Sequence, residues 1–582
     1  MPTGLYPKPA AQIAAAILEA QGVRHAVVSP GSRNSPLLHA LSLREKITLE
    51  VVADERSAAF VALGIASTSR RPVVLCCTSG TALLDYAPAV AEAYYARVPL
   101  IVISADRPAA WIDQADSQTI HQPGALAGVV KHSYNISDSE LCGKDARWFL
   151  ERTVNDACLE AQRGLPGPVH LNIALEAPLQ PTYGECGPVK LIRAVQPAAR
   201  LPQEAMAELA ELADRAAGRK IMVVAGPMRP DDRLNRAMES LSAFTSCVVL
   251  AENLANLHTT GIITNIDAAL SVLRRHRESE EAGDTPGATY SASVSETEPD
   301  LVIYTGGPIV SAELKEYLRS LSDTEFWRVG LPATLLEDTF RQLDLSIEAD
   351  PALFFPTFAK LLARCEAADA DYRDIWYILQ KEASDRHIEF LRTAPWSELK
   401  ALGHIFPRIP ENCNLHLSNG TAVRYGLLFD TRRIHALFAN RGCSGIEGST
   451  STAVGSAICY RRPTLLITGD LSFSYDIGAM ALQFIPANFK VILLNNSGGG
   501  IFRFIRSTRE IPGRERLLCA PPNLPAAKLC EAYGWRYSHA STEEELRVEL
   551  RPFLSCNDAP SLLEIEVDPQ TTAETFRRYL SL

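Results

Sequence analysis

The chain has 582 residues, 47% of them hydrophobic, enough for two or three domains with substantial cores. A formal net charge of −11 with no basic stripe to offset it excludes a general nucleic-acid partner and a role on anionic membrane surfaces. There is no apolar run of the ~18 residues that would span a bilayer, and the opening MPTGLYPKPAAQ lacks the basic start and apolar centre of a secretory signal. The expected location is therefore the cytoplasm. The 13 cysteines form no Cys-x-x-Cys pair, and Cys76 and Cys77 fall inside the apolar run VVLCC, which fits reduced core thiols better than disulfides or zinc.

Strand and helix signals alternate along nearly the whole chain, the pattern of α/β domains with parallel sheets. A first domain is expected over residues 1–187. In SPGSRNSPLL, Gly31, Ser32 and Arg33 precede a helix that is read with Ser35 as N-cap and Pro36 at its first position. A helix N-terminus attracts anions, and an adjacent Ser–Arg pair adds a hydroxyl donor and a bidentate fork. A well-formed cap with an exposed arginine accounts for the same residues. Glu55 stands between strand ITLEVVAD and helix RSAAFVALGIA, where an acid complements the helix dipole by roughly 0.3–1 kcal/mol. Next come strand RRPVVLCCTSG, helix DYAPAVAEAYY and strand VPLIVIS. Arg107 in SADRP follows a strand of the same sheet and can reach the same edge as Arg33; Gln118 in DSQTIHQPG adds a neutral donor and acceptor nearby. LPGPVHLNIALEAPLQPTYGECGP supplies a last strand and a Pro/Gly-rich exit.

A second α/β domain is expected over 195–355, with strands KIMVVAG, SCVVLAE, DLVIYTGG and EFWRVG and an exposed polar, acidic loop at 278–300. Neither GGPIV nor GRKIMVVAGPMRPDD carries the glycine pattern of a dinucleotide site. Helical pattern from 351 to 392 leads into a third domain, 372–582.

The third domain holds the most informative segment. RPTLLITGD reads as a buried parallel strand, SYDIGAMALQF as a helix, and FKVILLNNSGGG as a second strand running into glycines. In a β-α-β unit both strand ends reach the same sheet edge, so Asp470 and Asn496 come side by side, each offering a hard oxygen. Magnesium takes few protein ligands and completes its shell with phosphate oxygens, so the pair suits a Mg²⁺-bound diphosphate, with manganese as the other candidate. The glycines from Gly498 let a main-chain carbonyl turn toward the ion and let the diphosphate approach. The rival reading makes Asp470 a helix cap and Asn-Asn-Ser-Gly an ordinary turn.

The first and third domains read as diverged copies. Matching Pro72 to Pro463 sets Ser79 opposite Asp470 and Ala105 opposite Asn496, so only the C-terminal copy keeps the metal ligands. A cofactor spanning two related domains follows from that asymmetry.

With GDLS and NN at parallel strand ends, the sequence resembles the thiamine diphosphate enzymes, although Leu471 stands where that family usually has a second glycine. SPGSRNSPL, DERSAAFVALG, ISADRP and NRGCSGIEG are similar to the menaquinone-biosynthesis branch of the family, whose members are carboligases acting on 2-oxoglutarate and isochorismate. The resemblance spans the chain and implies three doubly wound parallel-sheet domains: pyrimidine-binding, middle (transhydrogenase-like) and diphosphate-binding. It implies that Glu55 hydrogen-bonds the cofactor's aminopyrimidine and promotes proton loss from the thiazolium, serving a diphosphate held by another subunit. The minimum assembly is then a homodimer, with a homotetramer also open. The resemblance further implies carboxylate contacts by Ser32, Arg33, Arg107, Gln118, Arg424 and Arg441, and cofactor contacts by Asn419, Ser444, Gly445, Gly469, Leu471 and Ser472. Ile446 would lie under the bent cofactor, with Ile501 and Phe502 beside its thiazolium; ordinary core packing suits all three as well. Gly420 replaces a serine of the family pattern, leaving Thr421 as the nearest hydroxyl. Ala312-Glu313 stands where adjacent basic residues are usual, with Lys315 slightly further on, so middle-domain help with substrate anions is in doubt.

Two rival functions stand beside this reading. Another thiamine diphosphate enzyme, such as an acetolactate-synthase-like or simple 2-oxoacid decarboxylase, would need a smaller, less basic pocket than four arginines make. A non-catalytic relative would dispense with Glu55, Asp470 or Asn496, and all three are present.

Overall fold

The computed structural model describes residues 8–137, 145–177, 179, 187–194, 203–281, 294–331, 336–365 and 371–582. The middle part of the expected acidic loop, and most of the Pro/Gly-rich exit from the first domain, lie outside the described residues. No described helix is long and apolar enough to cross a membrane.

Three parallel sheets form, as the alternation of elements predicts. The first contains β1 (His25–Val28), β2 (Thr48–Val51), β3 (Val73–Cys77), β4 (Leu100–Asp106), β5 (Ser133–Ile136) and β6 (Val169–Ala174), in the order β2-β1-β3-β4-β6-β5. The second contains β7 (Ile221–Ala225), β8 (Cys247–Ala251), β9 (Leu301–Thr305), β10 (Glu325–Gly330) and β11 (Leu343–Glu348), in the order β11-β10-β9-β7-β8. The third contains β12 (Asn414–Leu417), β13 (Ala436–Phe438), β14 (Thr464–Gly469), β15 (Phe489–Asn495), β16 (Arg536–Ala540) and β17 (Ser561–Glu566), in the order β13-β12-β14-β15-β17-β16.

Sheets with helices on both faces bury their central strands on both sides, which is why those strands are continuous apolar runs. In the first sheet Val74 and Cys76 face one core, while Val73, Leu75 and Cys77 face the other. The middle helix Pro351–Leu362 puts Phe354, Phe355 and Phe358 into the middle core. Helix Tyr372–Thr393 sends Tyr372, Trp376 and Leu379 into the opposite middle core and Phe390 into the third-domain core.

The first and third sheets have the same strand order, so the repeat is real, with β3 matching β14 and β4 matching β15. Its alignment needs one correction. Val73 pairs with Leu100, and Thr464 pairs with Phe489. That register places Arg107, not Ala105, opposite Asn496. The connection between β3 and β4 is longer by two residues, and matching strands by sequence alone hides the insertion.

Other local readings are revised. Asn34 takes the N-cap position of helix Ser35–Ser42, so Ser35 is its first residue, and the Ser35 hydroxyl donates to the Ser32 carbonyl at 2.9 Å. SYDIGAMALQF is not one helix: Asp470–Tyr475 is α-helical, and a 3-10 turn follows at Ile477–Ala481. Asp476 breaks it by turning inward to accept from the Ser451 N–H at 2.6 Å and the Ser451 hydroxyl at 2.7 Å.

The first and third domains pack through helices Glu55–Ser69 and Ser449–Cys459. Backbones touch there. A Cβ on Gly64 would lie 2.0 Å from the Thr452 carbonyl oxygen, and one on Gly455 would lie 2.1 Å from that of Val61.

Candidate active site

In an open parallel sheet, ligands gather beyond the C-terminal ends of the strands, near the point where strand order reverses. In the third sheet that point lies between β12 and β14. Asn419 and Arg424 follow β12, Arg441 to Ile446 follow β13, Asp470 to Ser472 follow β14, and Asn496 to Phe502 follow β15.

The Gly498 N–H donates to Asp470 Oδ2 at 2.7 Å, and the Leu471 N–H donates to Oδ1 at 2.7 Å. Both ligand candidates are buried. Burial pushes the Asp470 carboxyl up to about 6. The Asn496 Nδ2 donates to Glu398 Oε1 at 2.8 Å, while its Oδ1 is buried without a protein partner. The Gly498 carbonyl accepts from the Gly500 N–H at 2.8 Å, and one lone pair is left over. An unpartnered amide oxygen beside a carboxylate whose charge burial disfavours fits a divalent cation, which would satisfy both.

The wall above this edge is braced from several elements. Asn419 Nδ2 donates to the carbonyls of Asn440 (2.7 Å) and Gly445 (2.6 Å), and its Oδ1 accepts from Arg441 Nη1 at 2.9 Å. The Ser472 hydroxyl donates to the Ile446 carbonyl at 2.6 Å. Ser444 is held at a φ of 65°. Ile446 is 38% exposed, so it is no ordinary core isoleucine; it presents an apolar surface at the site. Ile501 and Phe502 lie half-buried in the 3-10 turn after the glycines, with the Phe502 ring packed on Gly499.

Sequence reasoning missed Glu92. Buried on helix Ala87–Tyr95 of the first domain, it accepts from the N–H groups of Gly442 and Cys443, both at 2.6 Å, and of Ser444 at 3.4 Å. Glu398 was missed as well. An acid in a helix's first turn looks the same in sequence whether it faces water or a core.

On the first domain, Arg33 donates to the Leu175 carbonyl at 2.8 Å, beside exposed Ser32. Arg107 is ion-paired with Asp116, and its buried Nε has no hydrogen-bond partner. Exposed Gln118 packs against Gly80, whose N–H donates to buried Gln122 at 2.8 Å. Asp106, which the sequence reading passed over, accepts from the Arg107 N–H at 2.8 Å and from Asn172 at 2.9 Å. Glu55 opens its helix behind the Asp54 cap. Burial raises its carboxyl, and the neighbouring Asp85 and Asp54 raise it further. Both neighbours belong to its own domain.

Arg424, Arg441 and Lys315 are mutually interacting cations. Burial lowers the Arg424 and Arg441 guanidinium groups; burial also lowers the Lys315 ammonium of the middle domain, with Arg441, Arg319 and Arg424 adding to it against Glu252, which raises it. Arg424 Nη1 donates to the Gly420 carbonyl at 2.5 Å. Ala312 and Glu313 hold the positions where middle-domain basic residues are usual, and Lys315, a little further on, is within electrostatic reach of this cluster.

Two related sheets, one carrying an acid and arginines and the other a carboxylate–amide pair with glycines, define an enzyme built around a diphosphate cofactor. Residues 9–125 match the family described as thiamine pyrophosphate enzyme, N-terminal TPP binding domain, and residues 419–565 match the corresponding C-terminal TPP binding domain. Over 578 residues the chain is 38% identical to the 2-succinyl-5-enolpyruvyl-6-hydroxy-3-cyclohexene-1-carboxylate synthase of Porphyromonas gingivalis, covering 97% of this chain and 95% of that protein. Proteins of the same name from Christiangramia forsetii (35% identical, 98% of each chain) and Bacteroides thetaiotaomicron (34%, 97% of each) match equally fully. The chain belongs to this family of synthases among the thiamine pyrophosphate enzymes.

Proposed function

We propose that this protein is a carboligase of menaquinone biosynthesis. It decarboxylates 2-oxoglutarate with thiamine diphosphate and transfers the remaining four-carbon unit to the conjugated double bond of isochorismate. The observation that carries the reading is the buried Asp470–Asn496 pair with its unpartnered amide oxygen, on a chain related over its whole length to these synthases. Bound thiamine diphosphate supplies the carbon nucleophile and the electron sink for loss of CO₂.

The protein's own residues bind, orient and hold protons. Asp470, Asn496 and the Gly498 carbonyl would hold Mg²⁺ or Mn²⁺, and through it the diphosphate. Gly469, Leu471, Ser472, Ser444 and Gly445 would line its path, and Ile446, Ile501 and Phe502 would give the rings apolar walls that exclude water. Glu55 would hydrogen-bond the aminopyrimidine and hold a proton there. We take Glu55 to serve the cofactor held by another subunit, as in the related enzymes, which makes the assembly a homodimer or homotetramer. Both substrates are dicarboxylates, and Arg33, Arg107, Arg424, Arg441 and Lys315 orient them, helped by Ser32 and Gln118. This cationic lining favours the reading over one in which a small monocarboxylic 2-oxoacid is the substrate. We place the enzyme in the cytoplasm.

The test supplies the protein with thiamine diphosphate, Mg²⁺, 2-oxoglutarate and isochorismate and follows CO₂ and the adduct, omitting each component in turn. Loss of the adduct on every omission is expected. Adduct formation without isochorismate or without the cofactor sinks the proposal, as does full turnover by Glu55→Gln.

A further inference from the structure

Asn496 carries two chemically opposite atoms on one planar group, and only the oxygen suits a cation. Two contacts hold the residue, one of them on its amide, and one amide atom is left unpaired. Its Nδ2 donates to Glu398 Oε1 at 2.8 Å, its main-chain carbonyl accepts from Arg503 Nη1 at 2.9 Å, and its Oδ1 is buried with no protein partner. The holders are themselves fixed. Glu398 is fully buried at the start of helix Glu398–Ile405, behind the Ser397 cap, and its N–H donates to the Thr572 hydroxyl at 3.3 Å. Arg503 is buried, grips the Ser497 carbonyl at 2.8 Å and is paired with Glu515 at 2.8 Å.

A carboxylate accepts hydrogen bonds and donates none, so it discriminates between the two ends of an amide. Turning the Asn496 amide over would set its oxygen against a Glu398 oxygen and bury the NH₂ where a cation is to bind. Leaving a buried oxygen unpaired is itself costly, so the arrangement is one held in place by its surroundings.

We infer that Glu398 is a positioning residue: by capturing Nδ2 it fixes the polarity of the Asn496 amide and presents Oδ1 to the divalent cation. This rests on the metal reading given above. Residues that orient metal ligands from behind are worth roughly 10–100-fold in metal affinity.

The test measures Mn²⁺ binding by electron paramagnetic resonance, using the full chain with thiamine diphosphate, without substrates, at pH 8. The variants are Glu398→Gln, Asn496→Asp and the two combined, each checked for folding by circular dichroism. Glu398→Gln can offer either end of its amide, and Asn496→Asp sets two carboxylates face to face. Each single change is expected to weaken Mn²⁺ binding about tenfold or more. The double variant restores a donor–acceptor pair in the reverse direction and leaves one oxygen of the introduced carboxylate outward, so its affinity returns to within about threefold of the parent or better. Parental affinity in Glu398→Gln, or a double variant no tighter than the weaker single, overturns the inference and leaves the metal reading standing. A parent protein that binds no Mn²⁺ overturns both.

Discussion

The Gly498 N–H and the Asp470 Oδ2 meet at 2.7 Å, joining the loop after β15 to the residue after β14. The bond ties these two strand ends together, because Gly498 adopts a φ of +111° and its N–H turns back toward β14. A Cβ at that position would also lie 2.2 Å from the Cys519 carbonyl oxygen.

Gly498→Ala is therefore expected to strain the loop by about 1–3 kcal/mol and open the edge. The measurement is a thermal melt with and without Mg²⁺ and thiamine diphosphate. The parent should gain stability from the pair of ligands, as any molecule that binds only the folded state confers, and the variant should gain little. An undiminished ligand-induced shift would contradict this account of the loop.

Glu92 ties the first domain to the loop that carries Arg441 and Ile446. Its carboxylate takes three main-chain N–H groups, and burial makes each unmet partner expensive. Glu92→Ala should destabilise the protein by about 2–4 kcal/mol, and at permissive temperature it should raise KM for both substrates by loosening Arg441. Urea unfolding reads the first effect and initial-rate kinetics the second. A stable variant with parental KM would show that the contact is not needed.

Lys315 repairs a departure visible in sequence. Where Ala312 and Glu313 stand, middle-domain basic charge is missing, yet slightly further along the same helix Lys315 lies within electrostatic reach of Arg424 and Arg441. Lys315→Met should raise KM for a dicarboxylic substrate by about tenfold, the worth of one charge-assisted hydrogen bond, with kcat changed less. Thiamine diphosphate affinity should be unchanged. If the cofactor's affinity falls instead and KM for the substrates holds, the lysine belongs to the cofactor's site.

Much of the architecture is legible in the sequence because buried parallel strands are unbroken apolar runs. VVLCC, LLITG and VILLN are short apolar runs, bounded by polar, glycine or proline residues, that read as buried strands, and the polar residues that end them mark the candidate site's edge. What fails is what pattern does not encode. β11 went unread because it is an edge strand whose LDLSIE alternates between half-buried and exposed positions. The break in SYDIGAMALQF depends on Asp476 finding Ser451, a contact between separate segments. The two-residue slip that put Ala105 where Arg107 belongs came from an insertion outside the strands. Glu92, Glu252 and Glu398 were invisible because a helix or strand-end acid has the same letter whether solvated or buried. Only the fold shows which ones face backbone N–H groups or an asparagine.

Glu252 gives the pH dependence a definite sign. It is buried, accepts from the Val310 N–H at 2.8 Å and the Ser311 N–H at 2.8 Å, and burial pushes its carboxyl up to about 7 from an ordinary value near 4.5. A folded-state value above the unfolded one means that the folded protein holds the proton longer. The stability from that proton is complete below about 4.5 and is lost as pH rises through about 7. Glu252→Gln keeps the shape and an acceptor without the charge. Relative to the parent it should therefore gain stability between pH 5 and 8, by up to about 3 kcal/mol. That figure is already net of the Ser311 and Val310 N–H groups and of Arg441, all of which favour the charged form. Thermal or urea unfolding of both proteins across this range checks it, in the absence of metal and cofactor so that their binding does not contribute. Parallel stability profiles would show that Glu252 titrates alike in the folded and unfolded chain, and a variant that loses ground as pH rises would show that the cations around it outweigh its burial.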